Sequence, residues 1–159
     1  VEVLMKKYFL LFLLPLLLLF NCSKTETTKS FLITVEDSIF ARADAEGNLS
    51  RVDSAVFKRG EAVNLVLLNV GKFKKGEDGK HWFDIDMEVI DPKGNVILSR
   101  QGLLGENGHI LLPNDTAESP YGIFSTTEQI EPGIYKMKLT IYDKIGKGKA
   151  TVTKSFTLE

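Results

Sequence analysis

The sequence predicts an all-β domain, and three observations lead there. Beyond residue 30 the apolar residues recur with a period of two. Clusters of Gly, Pro, Asn and Asp separate these runs at short intervals. No segment carries the three-and-four spacing of an amphipathic helix. Alternate side chains of a strand point to opposite faces, so a period of two is its signature.

In order along the chain, Phe31, Ile33 and Val35 alternate with Leu32, Thr34 and Glu36, and Ile39 to Asp44 forms a second extended run. Ala45-Glu46-Gly47-Asn48 reads as a turn, because Gly and Asn tolerate positive φ. Glu61 to Val70 is rich in Val and Leu on both parities, as expected of a strand covered on both faces. Trp82 to Asp91 alternates most clearly, with Phe83, Ile85, Met87 and Val89 on one face and Asp84, Asp86 and Glu88 on the other. Asp91-Pro92-Lys93-Gly94 is a β-turn signal, and Val96 to Arg100 returns as the partner strand. Gly105-Glu106-Asn107-Gly108 marks another turn before Ile110 to Leu112.

Glu131-Pro132-Gly133 leads into Ile134 to Tyr142, where Tyr135, Met137, Leu139 and Ile141 share one face and Lys136, Lys138 and Thr140 the other. After the loop Asp143 to Gly148, the run Lys149 to Leu158 places Ala150, Val152, Phe156 and Leu158 on one parity. Lys154 falls on that apolar parity, which predicts an edge position or a bulge. The expected core includes Ile85, Met87, Val89, Leu139, Ile141 and Val152.

The N-terminus reads differently. Lys6 and Lys7 precede a nearly unbroken apolar run from Tyr8 to Phe20, interrupted only by Pro15. The run is short for a membrane span, which needs roughly 20 apolar residues, and fits the apolar region of a secretory signal. No small-residue cleavage triplet follows; Leu19-Phe20-Asn21-Cys22 does. This resembles a bacterial lipobox, with a leucine three residues before the cysteine that is lipidated. Phe20 and Asn21 stand where small residues are usual, and such relaxed lipoboxes are similar to those of spirochaetes. The resemblance implies cleavage before Cys22, acylation of Cys22 and a lipid-anchored protein of the cell envelope, at the outer membrane or cell surface. The competing reading is an uncleaved anchor helix with Cys22 an ordinary thiol. The expected layout is a signal peptide over 1–21, the lipidated Cys22 with a polar tether over 22–30, and the domain over 31–159.

The strand pattern of the later half resembles the immunoglobulin-like and fibronectin-III-like sandwiches of bacterial surface proteins. Pro132-Gly133 with Tyr135 is similar to the lead-in of their penultimate strand, and Trp82 opens the strand that often buries a tryptophan. The expected fold is therefore an immunoglobulin-like antiparallel β-sandwich after an N-terminal signal helix. With Cys22 the sole cysteine, the sandwich belongs to the disulfide-free kind. The resemblance further implies that the Trp82 and Ile134 strands are neighbours, with their outward faces forming a charge ladder in which Asp86 meets Lys138.

Chemistry-bearing patterns are sparse. Net charge is −1; removing Lys6, Lys7 and Glu2 with the leader takes it to −2, and no basic stripe points to nucleic acid. Asp84, Asp86 and Glu88 lie about 6.6 Å apart at alternate strand positions, a row rather than the converging cage calcium needs. His81 and His109, the two histidines, read as exposed loop residues. No nucleophile elbow or phosphate-binding glycine motif occurs. No catalytic residue, metal site or cofactor is expected.

Two contact surfaces stand out. One is a mobile glycine-rich loop, 71–80, whose Lys72, Lys74 and Lys75 sit beside His81. The other is the segment Pro113 to Thr127 with Tyr121 and Phe124, aromatics that equally suit a plug of the core. The expected function is a non-enzymatic interaction module, held to the membrane through Cys22 and meeting an envelope protein or glycan. The alternatives are an inhibitor or accessory subunit of an envelope enzyme, and a carbohydrate-active or hydrolase domain.

Overall fold

The structure, a computed structural model, describes residues 32–159. The expected signal peptide over 1–21, Cys22, the expected tether over 22–30 and Phe31 lie outside the described residues. Twelve strands follow: β1 (Asp37–Ala43), β2 (Leu49–Arg51), β3 (Val56–Phe57), β4 (Ala62–Leu68), β5 (Val70–Gly71), β6 (His81–Ile90), β7 (Val96–Arg100), β8 (His109–Ile110), β9 (Thr116–Ala117), β10 (Tyr121–Ser125), β11 (Gly133–Asp143) and β12 (Lys149–Leu158). Among the described residues no helix is long and apolar enough to cross a membrane.

One sheet has the order β10–β4–β1–β2, the other β3–β12–β11–β6–β7, with β8 alongside the start of β6. All pairings are antiparallel except β3 with β12. This is an immunoglobulin-like sandwich. β4 and β10 stand for strands B and E of one sheet, and β6, β11 and β12 for C, F and G of the other. The three strands expected from alternation, β6, β11 and β12, lie side by side in one sheet with β7, expected as the return from the Asp91–Gly94 turn. β4, apolar on both parities, is the inner strand between β1 and β10.

Two turns share the pattern Asp-x-x-Gly-Asn, at Asp44 to Asn48 and Asp91 to Asn95. Asp44 Oδ1 accepts the Glu46 and Asn48 amides, and Asp91 Oδ1 accepts those of Lys93 and Asn95. Gly47 and Gly94 take φ of 86° and 89°, where a Cβ would be strained. Tyr135 lies near the start of β11 and its hydroxyl donates to Glu131 O at 2.6 Å, the tyrosine corner of sandwich folds.

The core lies between the sheets. Val63, Leu65 and Leu67 of β4 meet Ile85, Met87, Val89, Met137, Leu139 and Ile141. Phe40, Phe57, Phe124, Tyr135 and Phe156 close the lower part with edge-on and stacked rings. Val152 is only half-buried, because β12 has no partner beyond β11 until β3 joins at Thr157 and Leu158. That open margin also explains Lys154. Its ammonium reaches across to Ser38 O and lies over the Phe40 ring, so the apolar stem packs and the charge is bonded.

Trp82 departs from expectation. Its parity puts it on the outer face of β6, half-buried, while Phe83 and Ile85 take the core positions. The indole stacks on His109 and lies beneath the Lys144 ammonium, 5.2 Å from the ring centre. The run from Leu32 to Glu36 makes only a bridge, Thr34 with Gly71, although Ile33 is buried as its parity predicts.

Candidate binding cleft

Residues 101–120 carry the chain from β7, at the edge of one sheet, to β10, at the edge of the other. They form a strap tied down residue by residue. Gly102 N donates to Asp86 Oδ1, Leu103 N to Ile85 O, and Leu104 N to Asp84 Oδ1. A 3-10 turn over Gly105–Gly108 leads into β8, which pairs with His81 and Trp82. Farther on, β9 pairs with β5, and Asn69 N donates to Glu118 O.

The acidic row therefore anchors the strap. Asp84 is buried, and its carboxylate accepts the Ile85 and Leu104 amides and pairs with Lys144 at 2.8 Å. Burial pushes its carboxyl up, but the Lys144 hydrogen bond, the two amides and the Lys144 charge outweigh that and hold it below the usual carboxylate range. Among Asp84, Asp86 and Glu88 only Glu88 makes the cross-strand pair, and its partner is Lys138. Asp86 faces Thr140 across the ladder, so the expected Asp86–Lys138 pair is off by one rung of the outward face. Among the described residues no group of three or more His, Cys, Asp or Glu is placed to hold a metal ion.

His81 is the second correction. It is the first residue of β6 and fully buried, not an exposed loop residue. Nδ1 accepts the Leu112 amide at 3.1 Å, so the ring proton sits on Nε2 and is donated to Asp115 Oδ1, also at 3.1 Å. Lys75 pairs with the same oxygen at 3.2 Å. Lys75 first, and His81 after it, hold the Asp115 carboxyl below the usual carboxylate range. Asn114 and Asp115 have φ of 51° and 59°, a left-handed pair held in place by these bonds.

Between the strap, β6 and β10 the sandwich stays open. The cleft has a volume of about 500 Å³ and is walled by Ile85, Met87, Leu103, Leu104, Leu112 and the Pro120–Ile123 segment, with Arg100 and Glu118 as its charged residues. This size falls within the range of ligand pockets, about 300–1,000 Å³. Gly122 lies on the inner face of β10, where a Cβ would come within 2.7 Å of Leu139 Cδ2 and 3.0 Å of Met87 Sδ. The bare backbone lets the sheets approach there. A polar cleft of about 480 Å³ beside Lys58, Arg59, Glu128 and Glu159 has only charged residues on its walls.

The residues singled out from the sequence divide. Tyr121 lines the cleft and is 45 % exposed, whereas Phe124, on the opposite parity of β10, is buried in the core and is a plug rather than a contact residue. Lys72 and Lys74 are exposed, and Lys75 is committed to Asp115. Their loop is anchored. Phe73 is buried against Phe83, Lys74 N donates to the buried Asp143 carboxylate, and Lys75 bridges to His81. His109 is half-buried, with Nε2 2.9 Å from Asp78 Oδ2. Cys22 falls outside the described residues.

Arg100, Leu103, Leu104 and Leu112 are not among the contact residues expected from the sequence, and Gly122 and Ile123 enter only as part of the Pro113–Thr127 segment. A signal was present. Leu103-Leu104 and Leu111-Leu112 are apolar pairs in a turn-rich stretch too irregular for a strand of its own, and such pairs need something to cover them.

No family model matches the sequence, and no curated protein matches it. Among solved structures, the crystal structure of the C-terminal domain of wzt is similar at 9% identity and a TM-score of 0.49, over 80% of this chain and 73% of that chain.

Proposed function

We propose that this chain is a non-enzymatic binding module, tethered to the cell envelope through lipid on Cys22, which seats apolar side chains of a partner in the cleft between its sheets. The observation that carries the reading is the cleft itself: an apolar hollow with few charged groups, left open where the two sheet edges part. His81 and His109 each pair with a carboxylate, Asp115 and Asp78. The tether rests on Leu19 and Cys22 in a lipobox-like setting after the apolar run Tyr8 to Phe20. Each acyl CH₂ buried in a membrane contributes about 0.8 kcal/mol, so two or three chains on one residue hold firmly. An inhibitor or accessory subunit of an envelope enzyme would use the same cleft and differ only in partner.

Two measurements test this. Mass spectrometry of the membrane-extracted protein should show an acylated peptide beginning at Cys22; an intact peptide spanning Lys6 to Cys22 would refute the tether. Titration of blocked leucine amide into the isotope-labelled chain should shift the resonances of Leu104, Leu112 and Gly122. Shifts confined to Lys58, Arg59 and Glu128 would refute the cleft.

A further inference from the structure

The outer margin of β10 is an unused hydrogen-bonding edge. β10 pairs with β4 along one side, with Gly122 opposite Leu65 and Phe124 opposite Val63. Leu67 N donates to Pro120 O and Thr126 N to Glu61 O, so the even-numbered residues direct their amides and carbonyls at β4. Tyr121, Ile123 and Ser125 therefore direct theirs away from it, and among the described residues no strand lies on that side. An immunoglobulin-like sheet places a further strand there, beyond its E strand. Here the strap runs in its stead, by way of a 3-10 turn and β8 bonded to the opposite sheet.

Nothing blunts this edge. Soluble proteins guard exposed edges with lysines, prolines or bulges. β10 has only Pro120 at its start, and its outward side chains Tyr121 and Ile123 are apolar and 45 % and 46 % exposed. The edge also borders the cleft, to which Pro120–Ile123 contribute four successive residues and β7 only Arg100. The Arg100 guanidinium makes no ion pair among the described residues.

We infer that the occupant of the cleft is an extended segment of a partner protein, added as a strand to β10. Its backbone pairs with Tyr121, Ile123 and Ser125. Its alternate, apolar side chains enter the cleft, and an acidic residue at one end meets Arg100. Backbone pairing supplies affinity and the alternate pockets supply selectivity, as in other strand-addition sites. A small apolar ligand fills the hollow but leaves the edge unpaired; a strand satisfies both. The inference rests on the cleft reading above and adds the form of the ligand.

The probe is a blocked five-residue peptide with valine at alternate positions and a terminal glutamate, titrated into the full chain. Amide exchange at Tyr121, Ile123 and Ser125 should slow at least tenfold when it is bound. N-methylation of the peptide amides that face β10 should weaken binding tenfold or more. Ile123→Pro removes an outward amide that β4 does not use, and should weaken binding to the same extent. Ile123→Lys, a milder edge guard, provides the same readout should the proline variant unfold. Slowed exchange at Ser99, whose amide points away from β6 on the free margin of β7, or unchanged binding of the N-methylated peptide, would overturn the inference. So would a dimer of the chain whose β10 amides are protected without peptide, because a second copy would then be the occupant. If blocked leucine amide fills the cleft and the peptide does not bind, strand addition falls and the cleft reading stands. If neither binds, both fall.

Discussion

Nδ1 of His81 accepts the amide hydrogen of Leu112, and through it the strand β6 fixes the middle of the strap. The other ring nitrogen is committed to Asp115, so the imidazole is a buried two-point clip. His81→Leu keeps the apolar volume but leaves the Leu112 amide without its acceptor, with an expected cost of about 1–3 kcal/mol. Because Leu112 walls the cleft, ligand-induced shifts there should weaken in the same variant. Urea unfolding and amide exchange at Leu112 measure the two effects. Unchanged protection of that amide would show that the clip is dispensable.

Leu139 and Val152 face each other across the β11–β12 ladder and share a parity, yet they differ in burial. Leu139 is fully buried against Met87 and Gly122, so Leu139→Ala should destabilise by about 2–5 kcal/mol. Val152→Ala, at the open margin, should cost about 1 kcal/mol or less. Equal losses, measured by denaturant unfolding, would mean that β12 is covered along its whole length.

What was legible in the sequence tracks what is local. Alternation in Trp82 to Asp91 and Ile134 to Tyr142 depends only on which face is apolar, and all the core residues expected from those runs are buried. The Asp-x-x-Gly-Asn turns are likewise self-contained, since Asp44 and Asp91 bond within five residues. The cleft is not local. It exists because β7 and β10, 20 residues apart, end on different sheets, and no periodicity encodes that separation. His81 departs from the expected exposed loop position for the same reason. Its neighbours Lys80 and Gly79 mark a loop, whereas its burial comes from Leu112 and Asp115, more than 30 positions away.

Asp84 gives the fold an acid-sensitive anchor. Its folded carboxyl titrates below its unfolded value, so its contribution is complete above the ordinary carboxylate range, roughly pH 4–5, and is lost as pH falls through the depressed folded value. Asp84→Asn retains an oxygen for the Leu104 amide but loses the Lys144 charge pair. The variant should be less stable than wild type near neutral pH, and the gap should narrow as the pH is lowered below about 4. Stability of the two proteins measured from pH 7 to pH 3 checks this. A gap that is constant with pH would assign the effect to shape rather than charge.

Glu88 and Lys138 form a half-exposed cross-strand pair at 2.8 Å, in register on β6 and β11. Such pairs contribute roughly 0.2–1 kcal/mol, and salt screens them. Asp86, one outward position along, is engaged with Gly102 N and lies opposite Thr140. Two double-mutant cycles separate these roles. Coupling between Glu88 and Lys138 should be favourable at low salt and should fade at high salt. Coupling between Asp86 and Lys138 should be near zero, although Asp86→Ala alone should loosen Gly102 and raise its amide exchange. The outward face of β6 then does two jobs: one carboxylate sets register with β11, and two hold the strap that shapes the cleft. Strong Asp86–Lys138 coupling would imply a ladder shifted along β11, which would also carry Leu139 away from Met87.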